Sequence, residues 1–371
     1  MIRIAPSLLA VEITDDKTIA EALDKIPSAD WLHIDVMDGK AVPNETIFLE
    51  PSITEEIRNK TSKTLDVHLM TEKPGEQIER FADAGANIIS YHIEYADNPL
   101  VALKAIKDLE NVQAGIAINP GTRIDNLTDL LEKAHDYKGG FDMVVVMGVM
   151  PGACGKKYSE HTPSRIKRIK EFIVEKGYNI IIQVDGGVKL NNSYQSTNAG
   201  ADCLVSGSGV FYQKNPDAAV QQLKDVILIG SDHGGLDLKE RIKKYLGQKG
   251  IAYQDFGTYS ADSMDYPDIA HELAGEISGG KARRGILVCG TGIGMGIAAN
   301  RYGGVRATGV WNKFTAEMAR RHNDSNVLCL GGRTIKEKHA LQYVKIWLNT
   351  PFEGGRHEKR LGKIEEFVYK T

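Results

Sequence analysis

Between residue 1 and about residue 225, short apolar runs alternate with segments whose apolar residues recur every three or four positions. The runs fall at 2–5, 31–36, 64–69, 87–91, 113–118, 143–147, 179–184 and 203–205, and some, such as Met143-Val144-Val145-Val146-Met147, are apolar throughout. Runs this short read as strands, while 16–26, 76–84 and 164–176 carry helical spacing. Strand–helix alternation requires a parallel sheet, and eight repeats predict a (β/α)8 TIM barrel with its reactive groups at the C-terminal strand ends. Ser7, His33, Asp35, His68, His92, Asn119, Met147, Asp185 and Gly207 all fall at or just beyond those ends.

Past residue 225 the alternation continues with no Pro/Ser/Gly-rich linker. Strands are expected at 226–231, 252–255, 285–289, 306–310 and 327–330, and helices at 236–249, 269–278, 314–322 and 336–348, with a shorter one at 297–301. Five strands are too few for a second barrel of this kind. They predict an open, doubly wound, Rossmann-like parallel sheet, so the chain reads as α/β throughout, with domains at 1–225 and 226–371. A length of 371 residues suits two domains.

Composition narrows the classes of function. A formal net charge of −3 leaves no basic surplus for nucleic acid, and no apolar run approaches the ~18 residues of a membrane span. The first residues, MIRIAPSLLAVEITDD, meet acids too early for a signal peptide. Cys154, Cys203, Cys289 and Cys329 occur singly, without disulfide or metal-site spacing, which fits a reducing cytoplasm.

In the first half, His33-x-Asp35 on one strand sends both side chains to the barrel interior. With His68 and Asp185 they form a two-imidazole, two-carboxylate set suited to one divalent Zn, Fe, Mn or Co ion. Asp35 and Asp185 also meet a chemical need, because inverting a carbon beside a ketone requires removing a proton from one face and returning it to the other. Gly186-Gly187 and Gly207-Ser208-Gly209 follow the last two strands, the usual barrel phosphate site.

These residues resemble ribulose-phosphate 3-epimerases across about 1–225, through Ala5-Pro6-Ser7, His33-Ile34-Asp35-Val36-Met37-Asp38-Gly39, Val42-Pro43-Asn44, Asp66-Val67-His68-Leu69-Met70, Val184-Asp185-Gly186-Gly187-Val188 and Ser206-Gly207-Ser208. The resemblance implies that His33, Asp35, His68 and Asp185 bind metal and that the two aspartates are acid and base. It further implies that Ser7 and His68 touch substrate, that Gly186, Gly187, Gly207 and Ser208 bind it, and that Met37, Met70 and Met147 line the site. It also implies that Gly152 and Gly155 belong to a loop that closes over substrate. Here that loop reads Pro151-Gly152-Ala153-Cys154-Gly155-Lys156 where the family usually has Pro-Gly-Phe-x-Gly-Gln, a departure that bears on substrate preference.

In the second half, Gly290-Thr291-Gly292-Ile293-Gly294-Met295-Gly296 follows a strand, but the G-x-G-x-x-G spacing fails at Met295 and Ile297, which disfavours a dinucleotide. The loop instead offers backbone N–H groups to a developing oxyanion, with Cys289 directly before them as a candidate base. Residues 226–371 resemble B-type ribose-5-phosphate isomerases through Ser231-Asp232-His233-Gly234-Gly235, Asp265-Tyr266-Pro267, Cys289-Gly290-Thr291-Gly292-Ile293-Gly294, Ala298-Ala299-Asn300, His322-Asn323-Asp324 and Gly354-Gly355-Arg356-His357. This implies Cys289 as the base, His322 as the group assisting ring opening, and Asn323 with Gly290, Thr291, Gly292, Ile293 and Gly294 around the enediolate. Asp232, His233, Arg356 and Arg360 would bind hydroxyls and phosphate. No metal or cofactor is expected there, and sites shared between two subunits imply at least a homodimer.

The two halves together predict a bifunctional pentose-phosphate isomerase acting on small sugar phosphates. Alternatives are the paired six-carbon reactions on allulose 6-phosphate and allose 6-phosphate, or a sugar-phosphate sensor with one silent half. Intact acid–base sets in both halves argue against the sensor.

Overall fold

A computed structural model describes residues 2–13, 15–42, 46–48, 50–152 and 157–368. The chain divides into two compact units, Ile2–Lys224 and Asp225–Thr371.

The first unit is a barrel of eight parallel strands: β1 (Arg3–Ala5), β2 (Trp31–Asp38), β3 (Thr64–Met70), β4 (Ile88–His92), β5 (Gln113–Ile118), β6 (Met143–Met147), β7 (Ile181–Asp185) and β8 (Cys203–Val205). From β2 to β8 each pairs with its neighbour in sequence, and β1 pairs with β8. Closure between β1 and β2 runs through the bonds from Asp30 N–H to the Ile4 carbonyl and from His33 N–H to the Pro6 carbonyl, both 3.1 Å. A two-residue strand, Thr46–Ile47, adds antiparallel to the end of β2. The apolar runs are buried on both faces because helices cover the outside and side chains fill the inside. The Thr162–Lys176 helix shows how local sequence sets an element. Pro163 sits in its first turn, Ile166, Ile169 and Ile173 bury one face, and Gly177 ends it at φ +67°.

The second unit holds β9 (Ile227–Ser231), β10 (Tyr253–Asp255), β11 (Arg284–Cys289), β12 (Ala307–Gly309) and β13 (Val327–Gly331), all parallel, in the order β10-β9-β11-β13-β12. Alternate strand residues serve opposite faces. Ile229, Val288 and Leu330 join Ile242, Val344 and Trp347 in one core, whereas a Cβ on Gly285 would meet Leu273 and one on Gly296 would meet Cys329. Helices therefore cover both sides, as doubly wound sheets require. The chain leaves β9 toward β10 on one side and returns to β11 on the other, which makes the crevice between β9 and β11 the topological switch point. The helix after the glycine loop spans Ile293–Ala299, four residues ahead of the expected 297. Gly294 lies within it because a Cβ there would strike the Tyr266 ring. The helix Arg356–Val368 was not anticipated.

Candidate functional site

Period-two alternation carries three pairs into the barrel interior: His33 and Asp35 on β2, Asp66 and His68 on β3, Gln183 and Asp185 on β7. Asp66 Oδ2 accepts from His33 Nδ1 at 2.7 Å and from Gln183 Nε2 at 2.6 Å. This fixes the His33 ring with Nε2 turned toward Asp35 Oδ1 at 3.5 Å and Asp185 Oδ2 at 3.7 Å. His68 Nδ1 likewise faces Asp185 Oδ2 at 3.4 Å and Asp35 Oδ1 at 4.0 Å. Neither ring nitrogen has a hydrogen-bond partner, although both are buried. Buried polar atoms without partners are costly, so their convergence on one point asks for a ligand. One ligand atom from each of His33, Asp35, His68 and Asp185 lies within 4.8 Å of the others, and the N/O donor set fits a borderline divalent cation.

The field at that point is negative. Burial opposes charge on His33, yet the adjoining Asp35 and Asp66 carboxylates outweigh it and raise the ring well above its ordinary value. Burial would raise Asp35, but His33, His68 and the Ser7 hydroxyl hold it below the usual carboxylate range. Ser7 Oγ donates to Asp35 Oδ2 at 2.6 Å. From sequence, Asp66 stood only inside a quoted motif without a role and Gln183 was not noticed, although each stands two residues before a ligand candidate on the same strand, where alternation points both inward.

Above these groups Ser7, Asp35, Asp185, Met37, Met70 and Met147 line one cavity with Gly152, Gly186, Gly187, Gly207 and Ser208. Gly186 has φ +101°, and a Cβ there would collide with Val149, so only glycine serves. Gly155, with Ala153, Cys154 and Lys156, lies outside the described residues, as do Pro43 and Asn44.

In the second unit, Asp232 and His233 follow β9, and Cys289 ends β11, on either side of the switch point. Asp232 Oδ1 accepts from Gly235 N–H at 2.9 Å, and Met264 N–H donates to His233 Nδ1 at 3.3 Å. Gly292 N–H donates to Cys289 Sγ at 3.1 Å, a contact that strengthens when sulfur is anionic. Gly292 turns the loop at φ +80°. Burial pushes the thiol of Cys329, on the neighbouring strand, up to about 12. Arg333, absent from the sequence candidates, lies beside both loops: Cβ atoms on Gly234 and Gly290 would meet its Nη2 and Cδ at 3.3 and 3.5 Å. Its signal was the Gly331-Gly332-Arg333 turn at the same sheet edge as Cys289.

His322 and Asn323 do not join that group within one chain. They precede β13, at the opposite edge of the sheet from Cys289, which pairs with Gly331 at the far end of that strand. The length of β13 separates them, roughly 15 Å at ~3.3 Å per residue. His322 instead stacks on His357, with ring centroids 4.2 Å apart, and Arg356 Nε donates to His357 Nε2 at 3.3 Å. Arg360 is exposed on the same helix. Within one chain the two groups of residues are thus separate.

Residues 3–211 match the family model described as the ribulose-phosphate 3 epimerase family, and residues 227–364 match that described as ribose/galactose isomerase. The barrel half is 38% identical over 224 residues to ribulose-phosphate 3-epimerase of Synechocystis, covering 60% of this chain and 93% of the relative. It is 39% identical over 227 residues to the Aquifex aeolicus ribulose-phosphate 3-epimerase, covering 61% and 96%. A structure of Clostridium thermocellum ribose-5-phosphate isomerase B matches at 46% identity and a TM-score of 0.38, covering 39% of this chain and 97% of that one. The chain belongs to the ribulose-phosphate 3-epimerase family through its first unit and to the ribose/galactose isomerase family through its second; both are families of enzymes. The epimerase family is divalent-metal dependent, and the buried His/Asp cluster fits such an ion. Among the described residues no helix is long and apolar enough to cross a membrane.

Proposed function

We propose that the barrel unit, residues 1–225, catalyses metal-dependent 3-epimerisation between ribulose 5-phosphate and xylulose 5-phosphate. Residues 226–371 interconvert ribose 5-phosphate and ribulose 5-phosphate without a cofactor, so the ketose is common to both reactions and the chain works in the cytoplasm. The convergence of two partnerless imidazole nitrogens and two carboxylates at the barrel mouth carries the first assignment.

In the barrel, His33, Asp35, His68 and Asp185 hold the cation, which when bound supplies Lewis-acid polarisation of the ketone oxygen. Asp35 removes the C3 proton from one face, and Asp185 returns one from the other. Ser7 keeps Asp35 oriented, the three methionines give the carbon skeleton a water-poor wall, and the backbone at Gly186, Gly187, Gly207 and Ser208 receives the phosphate. Gly152 and Gly155 belong to the covering loop. In the second unit Cys289 moves the proton between C2 and C1, and the N–H groups of residues 290–294 stabilise the enediolate. Asp232 and His233 bind hydroxyls, while Arg333 adds positive charge at the mouth.

The separation of Cys289 from His322, Asn323, Arg356 and Arg360 supports a site completed by a second copy, in which one copy's ring-opening and phosphate-binding groups face the other's thiol. Ile293, Ile297, Trp311 and Phe314 are 57–68% exposed, an apolar surface suited to such an interface. Mixing refolded Cys289→Ala and His322→Ala variants is then expected to restore about a quarter of wild-type isomerase activity. Half of random dimers are mixed, and each of these has one intact site of two. Absence of recovery despite subunit exchange would reject the shared site.

Steady-state rates on five- and six-carbon phosphates, with and without chelator, test the whole assignment. Chelation followed by Zn, Mn, Fe or Co add-back is expected to abolish and restore epimerisation alone. Isomerisation that tracks metal content would overturn the metal-free second site, and faster turnover of the six-carbon sugars would reassign both substrates.

A further inference from the structure

His92 and Glu94 lie outside the ligand set, yet their hydrogen bonds determine which nitrogen of His68 carries a lone pair. His68 Nε2 is 3.0 Å from His92 Nε2, so one of these atoms holds the proton and the other accepts it. His92 Nδ1 lies 3.2 Å from Glu94 Oε2, and an ionised carboxylate only accepts. His92 Nδ1 therefore carries a proton, His92 Nε2 is the acceptor, and His68 Nε2 is the donor. The lone pair of His68 is left on Nδ1, the atom that faces Asp35 and Asp185 without a partner. The opposite polarity would aim an N–H into the ligand cluster and remove one of its four donors.

Glu94 is itself constrained. Its Oε1 accepts from Asn119 N–H at 2.8 Å and from the Thr122 hydroxyl. The Arg165 guanidinium binds the carbonyls of Asn119 and Thr122 at 3.0 and 2.7 Å, holding that segment against the carboxylate. His68 and His92 are fully buried, so water cannot substitute for either bond. His33 is oriented directly by Asp66, whereas His68 is oriented by a carboxylate acting through an intervening imidazole.

We infer that His92 and Glu94 are positioning residues that lock His68 in the Nδ1-ligating tautomer and so set the affinity of the barrel for its divalent cation. This rests on the metal-binding reading of His33, Asp35, His68 and Asp185. Groups that orient metal-bound histidines typically contribute about 10–100-fold in affinity.

The test is titration of the chelator-stripped full-length protein with Co²⁺, followed calorimetrically and by the visible Co²⁺ absorption. Glu94→Gln keeps the shape, but its NH2 must face either the His92 Nδ1–H or the Asn119 N–H. Its Kd for Co²⁺ is expected to rise about 10–100-fold. His92→Phe should do the same. His92→Gln is the rescue: its amide oxygen accepts from His68 Nε2–H while its NH2 donates to Glu94, so affinity should stay within about threefold of wild type, against the 10–100-fold loss of the others. Loss of packing alone would not restore binding with Gln while Phe fails. Melting temperatures of the stripped proteins check that each variant is folded. Wild-type affinity in both Glu94→Gln and His92→Phe would overturn the relay. Failure of the wild type itself to bind one equivalent of Co²⁺ would reject the metal site, and the relay with it.

Discussion

Asp185→Asn is expected to lower epimerase turnover by ~10³-fold or more while ribose 5-phosphate isomerisation continues at the wild-type rate. The amide preserves the shape of a side chain that is 11% exposed at the end of β7, so the barrel should lose little stability. It lacks a proton to give or a lone pair basic enough to take one. A positioned acid or base contributes about 10²–10⁴-fold, which sets the scale of the loss. The substitution also removes one of the two carboxylates facing His33 Nε2 and His68 Nδ1, at 3.7 and 3.4 Å, so bound metal should fall in parallel. The isomerase activity of the same polypeptide is the internal control for folding of the second unit. Equal loss of both activities in a folded variant would sink the two-site assignment.

The barrel was legible because its strands are apolar on both faces and its chemistry follows the two-residue period. The run at 113–118 coincides with β5 and that at 143–147 with β6. His33-x-Asp35 gave its own orientation. Asp66 and Gln183 obey the same period, but a buried Asp or Gln beside a ligand has no signature until the partner strand's register is known. His92 was recognisable only as a strand-end residue, since its role depends on a ring 24 positions away in sequence. The second half shows a different limit. The residues assigned to its site came from resemblance alone, and a set of residues carries no sheet edge. Cys289 ends β11 and His322 precedes β13, so in a parallel sheet they lie at opposite edges of one chain. That conclusion was available from strand boundaries alone. The helix Arg356–Val368 escaped notice because its charged face dominates and it buries little apolar surface.

Cys289→Ala separates a catalytic thiol from a packed one. The residue is 5% exposed, and loss of its side chain as a small hydrophobe should cost about 1–2 kcal/mol with turnover nearly intact. As the base, its loss should cut isomerase turnover by ~10²-fold or more and leave epimerisation unchanged. Two observations favour the second outcome. The Gly292 N–H already donates to Sγ at 3.1 Å, and the strand ends at the switch point between Asp232 and the glycine loop, where a ligand rather than a core is expected. Cys329, on the next strand and held protonated by burial, is the natural comparison: Cys329→Ala should lower stability and spare both activities. Exchange of the C2 proton of ribose 5-phosphate with solvent distinguishes the cases without relying on net turnover. It should vanish in Cys289→Ala and persist in Cys329→Ala. Persistent exchange in Cys289→Ala would assign proton removal to another residue and leave Cys289 as part of the core.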